Sequence, residues 1–259
     1  MVATVDSPTI PAVSSRFVWF DLITPSPDDA MRFYSSVIGW GTAQWEGPAP
    51  YTMWTNNSVP LGGVMKDANG NAHWLGYISS PDVDATVKQA ANFGARVMVQ
   101  PSDIPGVGRY AVLTDPQGAL FAVFTGASQT PGHEGPADIG EFSWHELVTR
   151  DHPAALRFYE MLFGWTKAKS MDMGEIGTYQ LFERNGLEMG GMFDKPAAMP
   201  GPPAWVFYVR VGDLERALAA VKSGGGQVLN GPTEVPGGDT IVNCMDPQGA
   251  LFSLHQKGS

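Results

Sequence analysis

Seven consecutive residues, Asp115-Pro116-Gln117-Gly118-Ala119-Leu120-Phe121, recur letter for letter as Asp246-Pro247-Gln248-Gly249-Ala250-Leu251-Phe252. An echo of this length in a chain of 259 residues marks a tandem duplication, and it gives every position an internal copy for comparison. Further landmarks keep the same order. Phe17-Val18-Trp19-Phe20-Asp21-Leu22 matches Phe142-Ser143-Trp144-His145-Glu146-Leu147, and Arg32-Phe33-Tyr34 matches Arg157-Phe158-Tyr159. Gly39-Trp40 matches Gly164-Trp165, Gly62-Gly63 matches Gly190-Gly191, Trp74 matches Trp205, and Tyr77 matches Tyr208. Two modules this long predict two domains rather than a solenoid of short repeats. The spacing divides the chain into a flexible N-terminal arm (1–15), a first module (16–126), a linker (127–139) and a second module (140–257).

Hydrophobic residues make up 43% and charged ones 16%, enough apolar content to fill two cores. The net charge is −10 and no Lys/Arg cluster occurs, which argues against nucleic acid and anionic membranes as partners. Cys244 is the single cysteine, so no intramolecular disulfide can form; its apolar setting reads as a buried, inert thiol. With no signal-peptide pattern and no spanning-length apolar run, the expectation is a cytoplasmic protein, monomeric or homodimeric, whose partner is a small molecule.

Within each module the order strand, helix, strands occurs twice. Phe17–Thr24 reads as a strand, and Pro27-Asp28-Asp29 opens a helix that Gly39 stops. Asp151 and Pro153 open its copy, which Gly164 ends. Residues 83–93 and 214–222 supply the second helix of each module, and Asp115-Pro116-Gln117-Gly118 carries type I turn chemistry. The apolar stretch Met189 to Met199 reads as a loop able to cover a groove.

Four βαβββ-like units, with Phe-Tyr and Gly-Trp early in each module and Asp-Pro-Gln-Gly-Ala before its last strand, resemble the vicinal oxygen chelate superfamily. This is the glyoxalase, bleomycin-resistance and extradiol-dioxygenase group, and the chain is similar to its tandem-domain glyoxalase-like branch, often labelled "hydroxylase". The resemblance implies an α+β fold in which each module pairs two βαβββ units into an open half-barrel. In metal-dependent members it places ligands at positions that fall here on Trp19, Leu75 and Ala122, and on Trp144, Val206 and Ser253. None is His, Asp or Glu, so no cofactor is expected. The alternative is a divalent metal on displaced ligands, Glu146 with His255, as in a glyoxalase-like lyase or oxygenase.

Strand alternation puts Trp19 with Asp21, Trp144 with Glu146, His73 with Tyr77, and Ser253 with His255. Each groove is thus predicted to offer a Trp, a carboxylate and a Tyr (Tyr77 or Tyr208) to a ligand. Glu146, His255 and Asp21 are the candidate proton carriers, with Glu146 and His255 as an acid–base pair if their strands approach. Trp19, His73, Tyr77, Arg109, Trp144, Tyr208 and Ser253 are the candidate ligand contacts, Arg109 as a clamp for a carboxylate or phosphate. The opposing reading makes Asp21 and Glu146 structural, because both modules carry an acid there. Function is expected to be metal-independent lyase- or isomerase-type chemistry on a small aromatic or carbonyl-bearing metabolite. Sequestration of such a molecule without turnover, as in bleomycin resistance, is the competing class.

Overall fold

The computed structural model describes residues 15–67, 70–127 and 135–258. The expected arm before Ser15, and residues 128–134 of the expected linker with His133, lie outside the described residues. The first module runs β1 (Phe17–Thr24), α1 (Pro27–Val37), β2 (Gly41–Trp45), β3 (Tyr51–Asn56), β4 (Val59–Lys66), β5 (His73–Ser79), α2 (Val83–Asn92), β6 (Arg96–Ile104), β7 (Gly108–Thr114) and β8 (Leu120–Gly126). The second runs β9 (Phe142–Thr149), α3 (His152–Phe163), β10 (Thr166–Asp172), β11 (Thr178–Arg184), β12 (Leu187–Asp194), β13 (Ala204–Arg210), α4 (Leu214–Ser223), β14 (Gln227–Glu234), β15 (Thr240–Met245) and β16 (Leu251–Gln256). Each module forms one eight-stranded sheet, ordered β2-β3-β4-β1-β5-β8-β7-β6 and β10-β11-β12-β9-β13-β16-β15-β14. This is the expected α+β architecture of paired βαβββ units.

The helices start where the sequence supplies caps. Asp82, Asp151 and Asp213 accept from the backbone N–H groups of Ala85, Ala154 and Arg216 at 3.0, 2.9 and 2.9 Å. Gly164 closes α3 in the left-handed region, φ 69°. Strands β2 and β10 are not foreseen from the sequence. Both are edge strands with few buried residues, so the alternation that reveals a strand is missing, and the lysines of β10 suit an edge. The loop expected from Met189 begins instead as strand, since β12 extends to Asp194.

The paired glycines have separate duties. A Cβ on Gly62 or Gly190 would lie 2.0 or 1.9 Å from the carbonyl oxygen of Phe20 or His145 on the parallel neighbour strand. A Cβ on Gly63 or Gly191 would strike the ring of Tyr51 or Tyr179. The first glycine lets two backbones approach, and the second leaves room for a tyrosine to lie across the strand.

The chain divides into two compact units that interleave the modules. One contains residues 76–127 and 145–205 with the start of β1; the other contains 20–67, 70–75, 135–144 and 206–258. Each unit therefore joins the first βαβββ of one module to the second βαβββ of the other. Helices α1 and α4 pack together in one unit, α2 and α3 in the other.

In the α1–α4 unit, Phe33 and Tyr34 pack on Phe252, with ring centroids 5.8 and 5.3 Å apart, and Tyr34 also meets Trp40, Trp54 and Trp74. In the α2–α3 unit, Phe158 and Tyr159 pack on Phe121 in the same way, and Tyr159 meets Trp165 and Trp205. A polar relay runs through each aromatic cluster. The Trp74 indole donates to the Tyr34 hydroxyl (3.0 Å), which donates to Asp246 Oδ2 (3.2 Å). Likewise Trp205 donates to Tyr159 (3.0 Å) and Tyr159 to Asp115 Oδ2 (3.3 Å). The other oxygen of Asp115 accepts from the backbone N–H groups of Gln117, Gly118 and Ala119, which shapes the turn. Burial raises both carboxyls above the ordinary Asp value, against the pull of these donors.

His145 fills the place of Phe20 in the internal alignment. Its ring stacks on Phe17 at 4.5 Å, and its Nδ1–H donates to the Met189 carbonyl at 2.8 Å. Burial, the main cause, lowers its pKa to about 4. Cys244 is fully buried, as expected, and burial pushes its thiol up to about 12.

Two stability predictions follow from these contacts. Tyr159→Phe strips partners from the Trp205 indole and Asp115, and is expected to cost about 1–3 kcal/mol in urea unfolding with an unchanged m-value. A loss within the error of the extrapolation would show that the relay does not hold the unit. For His145, the unfolded chain takes up a proton near pH 6.5 while the folded chain does so only near 4. Stability therefore falls as pH drops through that window, by up to about 3 kcal/mol from this residue. His145→Phe, which copies Phe20, should remove that part of the slope when unfolding is compared at pH 7, 5.5 and 4.5; an identical slope would refute the assignment.

Candidate functional site

The first-strand acid of each module meets a tyrosine from two strands away. The Tyr179 hydroxyl donates to Glu146 Oε2 at 3.0 Å, and the Tyr51 hydroxyl donates to Asp21 Oδ1. Gly191 and Gly63 lie between each pair, on β12 and β4, and their bare Cα positions let the rings cross. The two pairs differ in access: Asp21 is 3% exposed, whereas Glu146 is half-buried. The tyrosines were not among the residues singled out from the sequence. The signal was present, because Tyr51 and Tyr179 stand at the same spacing before the second glycine of each pair.

His255 has other partners than Glu146. Its Nδ1 lies 2.8 Å from Ser143 Oγ and its Nε2 lies 2.8 Å from Asp239 Oδ2, while the backbone N–H of Gly258 donates to the second Asp239 oxygen. Ser143 Oγ also lies 3.3 Å from the Tyr208 carbonyl, and so ties β9 to β13.

Tyr208 and Ser253 stand opposite each other on β13 and β16. Asn243, their neighbour on β15, links them: its Nδ2 donates to Ser253 Oγ at 2.8 Å and to the Tyr208 hydroxyl at 3.1 Å. Asn243 was also missed in the sequence reading; only its contrast with Val112, the residue paired with Ala122, could have revealed it. In the first module Tyr77 pairs with Ala122 and its ring lies 6.4 Å from Tyr110.

The other candidates are placed as follows. Trp19 is buried at 7% exposure, and Trp144 is half-buried. His73 Nδ1 lies 2.8 Å from the carbonyl of Asn71. Arg109 donates to Asp84 at 2.7 and 3.0 Å and to Asp103 at 2.8 Å, so the chain's own carboxylates occupy the expected clamp. A cleft of about 400 Å³ in the α1–α4 unit, between Arg32 and Phe33 on one side and Gln248 on the other, contains neither acid–tyrosine pair. Gln117 explains it by contrast. Its Oε1 accepts from the backbone N–H groups of Arg150 and Asp151, closing the turn onto the start of α3. At the copy, Pro25 replaces Arg150 and has no N–H, and Gln248 Oε1 is buried with no hydrogen-bond partner among the described residues.

The positions that the resemblance assigns to metal ligands offer indole, alkyl and hydroxyl groups. Among the described residues no group of three His, Cys, Asp or Glu side chains is arranged to hold an ion. The donor set present does not fit a divalent cation. No helix among the described residues is long and apolar enough to cross a membrane.

Residues 17–124 match the family model for the glyoxalase-like domain, and residues 141–254 match that of the glyoxalase/bleomycin resistance protein/dioxygenase superfamily. CFP32 of Mycobacterium bovis, a candidate glyoxylase by name, is 33% identical over 247 residues, covering 91% of this chain and 92% of its own. The anthracycline biosynthesis protein DauV of Streptomyces sp. strain C5 is 29% identical over 255 residues, covering 91% of each chain. Among solved structures, the Mn(II)-bound glyoxalase of Novosphingobium aromaticivorans superposes with a TM-score of 0.67 at 16% identity, over 95% of this chain and 83% of that one. The 2,2′,3-trihydroxybiphenyl 1,2-dioxygenase of Sphingomonas wittichii strain RW1 gives 0.69 at 13%, over 95% and 92%. These two likenesses concern the fold. They also correct the expectation that no cofactor is involved, because a solved neighbour with this architecture carries Mn(II). The matched models, the relative at 33% identity and the paired βαβββ sheets together establish that the chain belongs to the glyoxalase/bleomycin resistance/dioxygenase, or vicinal oxygen chelate, superfamily.

Proposed function

We propose that the chain is a glyoxalase-like enzyme of lyase or isomerase type, acting on a small aromatic or carbonyl-bearing metabolite with Glu146 as the proton carrier. The observation that carries this reading is the difference between the two acid–tyrosine pairs. Asp21 is sealed and bound to Tyr51, as a structural acid would be. Glu146 has the same tyrosine support but is half-buried, so a ligand can reach it. Tyr179 holds one carboxylate oxygen and fixes the direction in which the acid points. A positioned carboxylate of this kind can remove a proton next to a carbonyl and return it to a neighbouring atom. Trp144, two residues earlier on the same strand and also half-buried, supplies an aromatic surface. The names of two relatives, a candidate glyoxylase and an anthracycline biosynthesis protein, support small-molecule chemistry.

Sequestration without turnover is the alternative, and two variants separate it. Aromatic and carbonyl metabolites would first be screened by tryptophan fluorescence. With a ligand in hand, Glu146→Gln should lower kcat by about 10²-fold or more while affinity stays within about twofold. Trp144→Ala should weaken affinity about tenfold. An unchanged kcat in Glu146→Gln removes the acid from the chemistry. If no screened ligand is turned over and only Trp144→Ala has an effect, the chain sequesters its ligand.

A further inference from the structure

We infer that the cleft between α1 and the turn 246–249 is a second binding site, for a small uncharged molecule that presents an amide edge (a C=O and an N–H side by side, as in an imide or a pyrimidinedione). The cleft measures about 400 Å³. Asp29, Arg32, Phe33 and Ser36 of α1 line one side, and Gly224 and Gln248 line the other. All six residues belong to the α1–α4 unit, whereas Glu146 belongs to the other unit, so this site is separate from the proposed proton carrier.

The cleft holds hydrogen-bonding groups that the chain leaves unused. Gln248 Oε1 is buried with no partner among the described residues. Arg32 gives one nitrogen to Asp29, and its other N–H groups have no partner among the described residues. A buried acceptor without a partner is destabilising, and the last torsion of a glutamine side chain is soft, so the amide turns toward a donor that enters the cleft. A half-turn exchanges its oxygen for its nitrogen, so the matching partner offers a donor and an acceptor together. An amide edge does so, through two antiparallel N–H···O bonds. Arg32 and Asp29 balance each other's charge, which leaves no counter-ion to spare for an anion or a cation. The Phe33 ring lies so close to Gly224 that a Cβ there would come within 2.9 Å of it, and the ring gives a flat ligand an apolar wall.

The internal copy shows that the fold does not require this opening. In the α2–α3 unit Met161 stands for Ser36, Phe93 for Gly224 and Ala154 for Asp29. Gln117, the copy of Gln248, spends its oxygen on the backbone N–H groups of Arg150 and Asp151 and its nitrogen on the Asp151 carbonyl at 2.7 Å. The same fold thus accommodates larger apolar side chains and a fully bonded glutamine at these places. Small residues around an unpaired glutamine are particular to the α1–α4 unit.

The test titrates uracil and succinimide into the full chain at millimolar concentration, beside 1,3-dimethyluracil and N-methylsuccinimide, which lack the N–H. Binding is read by ligand-observed NMR. The expected result is saturable binding of the first pair, weaker by about tenfold or more for the N-methylated pair. Gln248→Met, which removes the amide at nearly constant length, and Ser36→Met, which copies Met161, should each weaken uracil binding by about tenfold or more. Gln248→Met should do so at an equal or higher Tm, because the unpartnered oxygen is gone. No binding to the unaltered protein, equal binding of the N-methylated compounds, or unchanged affinity in both variants overturns the inference. Both variants leave Glu146 untouched, so none of these outcomes bears on the proposed chemistry of that acid.

Discussion

Everything in this fold hangs on a hydrogen bond that a phenol makes to a buried carboxylate. Tyr34 and Tyr159 each accept a hydrogen bond from an indole and donate one to an aspartate whose other oxygen gathers backbone amides into a turn. Three of the repeated sequence marks meet at that bond: the Phe-Tyr of the early helix, the Trp of the middle strand and the Asp of the last turn. Because the tyrosine comes from one module and the aspartate from the other, the relay also decides which halves fold together. The aromatic rings fill the space around the relay, but apolar packing alone is indifferent to register. The directional Trp–Tyr–Asp chain fixes the height at which each helix sits on its sheet.

The acid–tyrosine pairs follow the same logic on a smaller scale. A carboxylate on a central strand is hard to aim, because its neighbours are mostly backbone. The chain solves this with a glycine on the adjacent strand, over which a tyrosine lies to reach the acid from two strands away. Duplication then produced two versions. One is sealed, with Asp21 inside the protein; in the other the longer Glu146 is half-buried. The second module likewise carries an amide and a hydroxyl where the first has alkyl groups, so the two sheets differ in polarity at this register.

Much of this was legible in the sequence, and the reasons are local. The seven-residue echo, the Asp caps, the Gly stops and the strands flanking the Phe-Tyr helices are encoded by neighbours a few residues apart, which a reader of the chain can see. Strands β2 and β10 were not legible, because edge strands need no apolar alternation. Pairings across the sheet were illegible for a different reason. Nothing local says that Glu146 would take Tyr179 while His255 would take Asp239 and Ser143, or that Arg109 would spend its donors on Asp84 and Asp103. Alternation predicts a side chain's face, whereas its partner depends on register and on the swap of halves between modules. The internal copy is the most informative guide: Asn243 against Val112 and Pro25 against Arg150 both flag places where the two halves differ in hydrogen bonding.

The interleaving of halves also constrains how such a gene can change. After an ordinary duplication, one copy is free to drift while the other keeps the original task. Here neither copy owns a core. A substitution in helix α1 is answered by β16 at the far end of the chain, and one in α3 is answered by β8. The first copy therefore cannot decay without dragging down the second, and selection on either copy preserves both. The two modules are inherited as a pair of hands clasped together, and they can specialise only in the residues that point away from the clasp.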